Sequence, residues 1–317
     1  MTQPTHLIGV DIGGTNLRVA LANVKGEIVA RVATTTTNVR EPRSVIEKIR
    51  ECAQRLLEDA RLSLEHVAAI GAGAPGLTDA ENGVVIATSY LMGWRDVPLK
   101  AMLEDALGVP ASVDNDVNLA ALGESRFGAG RGLKDFVFIS IGTGVGAGII
   151  LNGELFQGPA WTAGEIGYML VPGTSEVPPA LGEPGGLEGL VGGEGLRSRW
   201  QSQWSREKTQ LPRELTATQI FDAAVAGDDL AIGILDLAAR TLAYAIFDIT
   251  LILNTPLFVL GGSVGLHAAL RDRTQAVLEM HGRRLRPKLV LSALGGDAQL
   301  MGAIRLAQIV PHVSEEP

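Results

Sequence analysis

Three groups of residues in this 317-residue chain could do chemistry by their type and spacing. The first is Asp11 followed by Gly13-Gly14-Thr15-Asn16, set between the apolar runs Leu7–Val10 and Leu17–Leu21. Glycines without a Cβ let backbone N–H groups approach an anion closely, and the threonine hydroxyl and asparagine amide add donors. Asp11 would repel phosphate itself, but is placed to hold a hydrated Mg²⁺ that binds it. The second group is Gly142-Thr143-Gly144, inside Phe136–Gly153, which repeats the plan of apolar run, glycine turn and apolar return. A constant offset lays Ser140 on Asp11, Gly142 on Gly13 and Asn152 on Asn23, so the metal is assigned to the first copy alone. The third group is Asp114-Asn115-Asp116, ahead of the Ala/Leu-rich run Val117–Phe127 that Gly128 and Gly130 close. Asp and Asn satisfy the orphan N–H groups of a helix start, yet one cap needs one such residue and here there are three. A carboxylate at a helix N-terminus is held anionic by the dipole and is ready to accept a proton at neutral pH.

The elements that must position these groups follow from the apolar periodicity. Each glycine turn joins two strands as a β-hairpin, and a single such hairpin would fit an ordinary tight turn as well as a phosphate site. Two of them opening two halves of one chain imply a duplicated fold with a nucleotide between the halves. Between them the pattern predicts a strand over Gly26–Thr36, a helix over Pro42–Arg61, and a buried strand Val67–Ala74 running into the rigid loop Gly71–Gly76. A strand Val84–Tyr90, a helix Leu99–Leu107 and a strand Pro110–Val113 follow. Trp161–Val171 carries one acid, Glu165, flanked by glycines, and Thr174–Gly186 is a Pro/Gly-rich loop. Glu188 starts a glycine-interrupted helical stretch through Leu196, and Gln201–Pro212 is a polar surface connection. Helices are predicted over Ala217–Ala226 and Leu230–Ile252, then a strand Pro256–Leu260 entering the turn Gly261–Val264, a strand Val290–Leu294 and a helix Asp297–Ile309. The domain junction falls near Val113, giving residues 1–112 plus 300–317 and residues 113–299.

Composition narrows the classes. The chain is 46% hydrophobic and 20% charged, which is globular rather than disordered, and its 39 glycines cluster in loops. A net charge of −8 with no face concentrating Lys and Arg argues against nucleic acid; Arg283-Arg284-Leu285-Arg286 reads as a solvated turn. One cysteine, Cys52, excludes an intramolecular disulfide and fits a reducing compartment; it falls on the apolar face of the Pro42–Arg61 helix, as an inert core residue. The N-terminus lacks the pattern of a signal peptide and no apolar run approaches a membrane span, so a cytoplasmic protein without membrane contact is expected.

Taken in order, DIGGTN (Asp11–Asn16), GAPG (Gly73–Gly76), DND (Asp114–Asp116) leading to Gly123-Glu124, IGTGVGAGII (Ile141–Ile150), GEIG with Glu165, LGGSV (Leu260–Val264) and LGGDAQLMGA (Leu294–Ala303) resemble the ROK family of sugar kinases, above all its bacterial glucokinases. The resemblance implies an α/β, two-domain actin-like ATPase (ribonuclease H-like) fold with a cleft between the domains. It implies ATP-dependent phosphorylation of a hexose hydroxyl, glucose to glucose 6-phosphate first, with ATP and Mg²⁺. Gly13, Gly14, Thr15 and Asn16 match its first phosphate loop and Gly142, Thr143 and Gly144 its second, while Gly261 and Gly262 match the glycines beside the adenosine. Asn115 and Asp116 match the sugar-binding Asn and the general base. Gly73 and Pro75 belong to the sugar side, and Glu165 and Glu188 match acids that grip sugar hydroxyls. A homodimer is the expected assembly.

Two departures bear on the sugar. The family's GEIGH ends here in Tyr168, which is expected to keep the histidine's hydrogen bond to sugar, and the cysteine-rich zinc loop is absent, since Pro172–Glu188 contains no Cys. Zinc is therefore not expected, and Pro178, Pro179 and Pro184 would stiffen the loop instead. Ser89-Tyr90 stands where members often show Pro-Asn. The alternatives are a kinase for fructose, mannose or an N-acetylated amino sugar, a non-catalytic sugar-sensing ROK regulator, and an actin-like ATPase scaffold. A regulator would carry a DNA-binding extension, for which a first strand at Leu7 is expected to leave no room; the scaffold gives Asn115, Glu165 and Glu188 no purpose.

Overall fold

The computed structural model describes residues 4–37, 41–88, 91, 93–174, 177, 179, 183–280 and 286–310. The chain divides into two compact units, Met1–Phe127 with Gln157–Thr162 and Asp297–Pro317, and Gly128–Phe156 with Ala163–Gly296.

In the first unit the opening hairpin is β1 (His6–Ile12) and β2 (Asn16–Asn23), followed by β3 (Ile28–Thr35) and α1 (Pro42–Asp59). Then come β4 (Val67–Ala74), a small ribbon of β5 (Leu77–Asp79), β6 (Val84–Ala87) and β7 (Arg95–Val97), α2 (Leu99–Leu107), β8 (Ala111–Asn115) and α3 (Asp116–Phe127). The main sheet runs β3-β2-β1-β4-β8, antiparallel across the first three strands and parallel from β1 to β8. Every residue of β4 is buried, as a parallel strand covered on both faces requires. On one face Val10, Val19, Ile70 and Ala72 meet Val45, Ile49 and Leu56 of α1 and Leu103 of α2. Cys52 lies in that layer, as its position on the apolar face of α1 predicts.

The second unit repeats the plan. It contains β9 (Phe136–Ile141), β10 (Val145–Leu151), β11 (Glu154–Phe156), α4 (Gly186–Val191), α5 (Gly193–Gln203), α6 (Ala217–Val225), α7 (Asp229–Leu253), β12 (Leu257–Gly261), α8 (Gly262–Gly265), α9 (Ala268–Leu278) and β13 (Lys288–Leu291). Its sheet order, β11-β10-β9-β12-β13, is the first sheet's order over again, with β9, β12 and β13 parallel. By length and composition α7 could cross a membrane, but Ile234, Leu242, Ala245 and Ile246 pack into the core with Ile139, Phe221 and Phe258.

The last helix, α10 (Ala298–Ile309), returns to the first unit and covers the second face of its sheet, where Leu300, Ile304 and Ala307 meet Leu7, Ala20, Ala22 and Ala69. The approach is close enough that a Cβ at Gly71 would stand 1.9 Å from the Ala303 carbonyl oxygen, and one at Gly302 only 1.7 Å from that of Leu119.

Three expectations shift. The junction lies after Phe127 rather than near Val113, because β8 is a full partner of β4 and α3 packs on α10; the first unit also takes back Gln157–Thr162 and begins again at Asp297. The last strand is Lys288–Leu291, not Val290–Leu294. The hairpin overlay slips past the turn: Ile12 faces Leu17 across four residues, whereas Ile141 faces Val145 across three. Arg18 thus matches Gly146, and Asn152 is not the counterpart of Asn23. Tyr90 with Ser89, Pro178, and Arg283, Arg284 and Leu285 of the basic run lie outside the described residues.

Candidate active site

The parallel strands of the first sheet bring three of the singled-out stretches to one edge. Asp11 pairs with Gly73 across β1 and β4, and Gly73 with Asp114 across β4 and β8, so the glycine turn, the GAPG loop and Asn115-Asp116 leave the sheet side by side. The carboxyl ends of parallel strands are where α/β folds hold ligands, because the chain there turns away and exposes its N–H groups.

The first turn is fixed from below and open above. Gly13 N–H donates to the Asn16 carbonyl at 2.7 Å, the Thr36 hydroxyl donates to the Gly13 carbonyl at 3.0 Å, and Thr36 N–H and the Thr35 hydroxyl both donate to the Thr15 carbonyl at 2.9 Å. Thr36 is buried while Thr15 and Asn16 are exposed, which leaves the Thr and Asn side chains facing solvent. Asp11 is buried, and Oδ2 accepts from Arg18 Nε at 2.7 Å and Nη2 at 2.6 Å. Burial pushes the Asp11 carboxyl above its ordinary range, and the Arg18 charge pulls it back. Arg18 reaches Asp297 at 3.7 Å, and Arg31 holds the same Asp297 at 2.8 Å. Sequence reasoning passed over Arg18, although strand register alone sets it opposite Asp11. One carboxylate, half engaged, fits a hydrated Mg²⁺ shared with nucleotide phosphates rather than a protein cage. Among the described residues no cluster of three or more His, Cys, Asp or Glu could hold a metal.

Asp116 is the first residue of α3, half-buried, with Oδ1 3.0 Å from Val117 N–H. Gly73 lies under this helix start, where an added Cβ would stand 2.7 Å from Leu119 Cδ1 and 3.6 Å from Asp116 Cα. Asn115 supplies the cap, its Oδ1 accepting from Val117 N–H at 2.8 Å and Asn118 N–H at 3.2 Å. Asn115 Nδ2 donates to the Gly76 carbonyl at 2.8 Å, joining the cap to the GAPG loop in which Pro75 is buried. Capping thus occupies Asn115 as well as the sugar contact expected of it, and its amide keeps a second N–H. Asp114 is buried beneath, and desolvation raises its carboxyl from 3.8 to about 6 against three hydrogen bonds that lower it.

In the second unit Ser140 pairs with Gly261, so the Gly142-Thr143-Gly144 turn and the start of α8 leave one sheet edge together. Gly262 takes φ +78°, and a Cβ there would meet the Ile141 carbonyl oxygen at 2.4 Å; this alone would require glycine, whatever binds beside it. The α5 start reaches back to the turn, with Gly193 N–H donating to the Gly142 carbonyl at 2.8 Å. Glu188, on α4, accepts from Val145 N–H through Oε2 at 2.9 Å. Glu165 precedes the 3₁₀ turn Ile166–Tyr168, which is held along β10 by Ala147 N–H on the Gly164 carbonyl at 2.8 Å. Burial and then the neighbouring Glu188 push Glu165 above the usual carboxylate range; burial raises Glu188 too, opposed by the Val145 N–H. Two acids side by side next to Tyr168 are suited to accept hydrogen bonds from hydroxyls. Near them Thr174 closes its own loop, its hydroxyl donating to the Val171 carbonyl at 2.7 Å.

A sheet order repeated in two units, each with a glycine turn at the carboxyl end of its first strand, defines the two-domain actin-like ATPase fold. Similarity to known proteins then fixes the family. The model of the ROK family matches residues 7–309, and the chain belongs to that family. A glucokinase of Halalkalibacterium halodurans is 35% identical over 264 residues, 81% of this chain and 80% of that one. The bifunctional enzyme NanE/NanK of Brucella suis is 33% identical over 303 residues, 95% of this chain and 53% of the relative. The ROK glucokinase of Streptomyces griseus, solved with glucose and AMPPNP, superposes with a TM-score of 0.80 at 29% identity, over 96% of this chain and 99% of that chain.

Proposed function

We propose that the protein phosphorylates a hexose hydroxyl from ATP, with glucose as the first candidate. The observation that carries the reading is the row Asp11–Gly73–Asp114, which sets a phosphate-type turn and the helix-start carboxylate Asp116 at one sheet edge. Phosphoryl transfer asks a protein mainly for positioning, charge neutralisation and an oriented nucleophile. Asp116 takes the proton of the attacking hydroxyl as its oxygen bonds to the γ-phosphorus and the bond to the β-phosphate oxygen breaks, releasing ADP. Gly13–Asn16 and Gly142–Gly144 offer N–H groups and small polar side chains to the phosphates, and Gly261-Gly262 flank the adenosine. Asp11 would hold Mg²⁺, whose charge neutralises the phosphates. Asn115, Glu165, Tyr168 and Glu188 orient the sugar, with Gly73 and Pro75 shaping its loop. The names of the relatives support sugar phosphorylation and leave room for mannose, fructose or N-acetylated amino sugars. A cytoplasmic homodimer working without zinc completes the proposal, the latter supported by a chain whose one cysteine is buried in α1.

An ADP-release assay over a panel of hexoses tests the reading. Asp116→Asn should keep the fold and sugar binding and lose about 10²–10⁴ in kcat. Near-wild-type turnover of that variant at saturating sugar would show the base to be misassigned.

A further inference from the structure

Asp114 has no place in the chemistry above, yet it is the most heavily bonded carboxylate of the sheet edge. It is 3% exposed. Its Oδ1 accepts from Asn115 N–H at 2.7 Å and Asn118 Nδ2 at 2.9 Å, and its Oδ2 accepts from Gln157 Nε2 at 2.8 Å. All three partners are donors and none is a cation, so the group is placed to organise neighbours. Two of the three belong to the turn that carries Asn115 and Asp116. The third opens Gln157–Thr162, a strap that packs with the first unit although β11 before it and Ala163 after it belong to the second.

The strap bends twice through left-handed backbone, at Gly158 (φ +69°) and at Trp161 (φ +59°), with Trp161 N–H on the Gly158 carbonyl at 3.3 Å. A bulky aromatic residue holds such a φ only where the surroundings over-determine it. Only Ala163 and Gly164 separate the end of the strap from Glu165. The strap therefore leads directly into one of the acids proposed above to orient the sugar.

We propose that Asp114 is a positioning residue: through Gln157 it ties the turn bearing Asn115 and Asp116 to the strap that leads into Glu165. The link fixes Gln157, where the strap opens, against the first sheet edge and does so without touching substrate. Its kinetic consequence rests on the kinase reading; the link itself does not.

The test is a polarity swap read two ways in the full-length chain: amide hydrogen exchange without ligand, and hexose KM against kcat. Gln157→Leu deletes one hydrogen bond to a charged group, and should speed exchange over residues 157–162 about tenfold. It should raise hexose KM about as much while kcat stays within about twofold, since Asp116 keeps its own hydrogen bonds. Gln157→Glu sets two carboxylates face to face and should act at least as strongly. The double variant D114N/Q157E reverses donor and acceptor: the new amide donates to the new carboxylate, while the retained Oδ1 still accepts from Asn115 and Asn118. It should bring both readouts back towards wild type, which a merely space-filling role would not do. Unchanged exchange in Gln157→Leu, or a double variant no better than Gln157→Glu, overturns the proposal. A wild-type chain that phosphorylates no hexose would sink the kinase reading, and the exchange data would still decide this one.

Discussion

The two sheet edges are built alike and furnished differently. In the first unit the paired row is Asp11, Gly73 and Asp114; in the second it is Ser140 and Gly261, with Ser292 following Leu291 at the third place. Opposite Asp11 stands Arg18, and opposite Ser140 stands Gly146. The first turn spans four residues and is propped by Thr35 and Thr36, while the second spans three and is propped by the N–H of Gly193 at the start of α5. One architecture thus carries two differently furnished turns. The first carries carboxylates and the Asp11–Arg18 ion pair, and the second only uncharged side chains and backbone N–H groups. Duplication explains the shared ladder, and the carboxylates explain why the chemistry is assigned to one half.

The largest effect should come from making the first row resemble the second. Asp11→Ser is expected to lose about 10²–10³ in kcat and to weaken the Mg²⁺ dependence of ADP release, while Ser140→Ala should cost less than about threefold. Wild-type turnover of Asp11→Ser at any Mg²⁺ concentration would erase the asymmetry. A second contrast is the pH dependence that Asp114 imposes and a serine cannot. Its folded-state carboxyl is raised from 3.8 to about 6, so the native state binds the proton more tightly than the unfolded chain. Stability should therefore be highest with Asp114 protonated and decline as pH rises from about 4 to 6, by about 3 kcal/mol at 1.36 kcal/mol per pH unit. Denaturant titrations of wild type and Asp114→Asn over that range would differ by this slope; parallel curves would contradict it.

The ion pair comes next. Arg18→Met leaves the Asp11 carboxylate buried without its partner, at about 2–3 kcal/mol in urea unfolding. That lies below the fully buried figure because the Arg18 side chain is 27% exposed. Adding Asp11→Asn should recover most of the loss, and a double variant as unstable as the single would show that the pair is not the cause. The smallest effects separate two asparagines that the constant offset had equated. Asn152 and Gly153 take φ +55° and +86° in a two-residue turn between Leu151 and Glu154, while the Asn23 side chain accepts from Lys25 and Glu27 N–H at 2.9 and 3.1 Å. Asn152→Gly should be close to neutral, because conformation is what the turn needs, and Asn23→Gly should cost about 1 kcal/mol of lost hydrogen bonds. Equal melting shifts would mean the two turns work alike.

Both hairpins were legible because alternation and a glycine turn are local signals, as were the buried strand Val67–Ala74 and the helix Leu99–Leu107, whose bounds match residue for residue. The helix α9 was not, since only Leu270, Thr274 and Leu278 are buried along a stretch crowded by Arg271, Asp272 and Arg273. Leu294 misled the last strand: the apolar run continues, but Ser292 receives Gly295 N–H and turns the chain. At the site, the glycines and Asn115-Asp116 were legible by type, whereas Gln157 was not, because its partner lies 43 positions earlier and no periodicity connects them. The junction failed for a related reason: a five-residue strand with two apolar residues, Ala111 and Val113, does not announce which sheet it will join.

The return of α10 to the first unit has a consequence for synthesis on the ribosome. Leu7, Ala20, Ala22 and Ala69 lie against Leu300, Ile304 and Ala307, so one face of the first sheet waits uncovered until α10 has been made. Roughly 170 residues separate Phe127 from Ala298, about 10–35 s of elongation at ~5–20 residues per second. The unit begun first is thus completed after the second, and during that interval its apolar face is a natural substrate for chaperones. A nascent chain stalled before Ala298 should be protease-sensitive in residues 1–127 and resistant within 163–296.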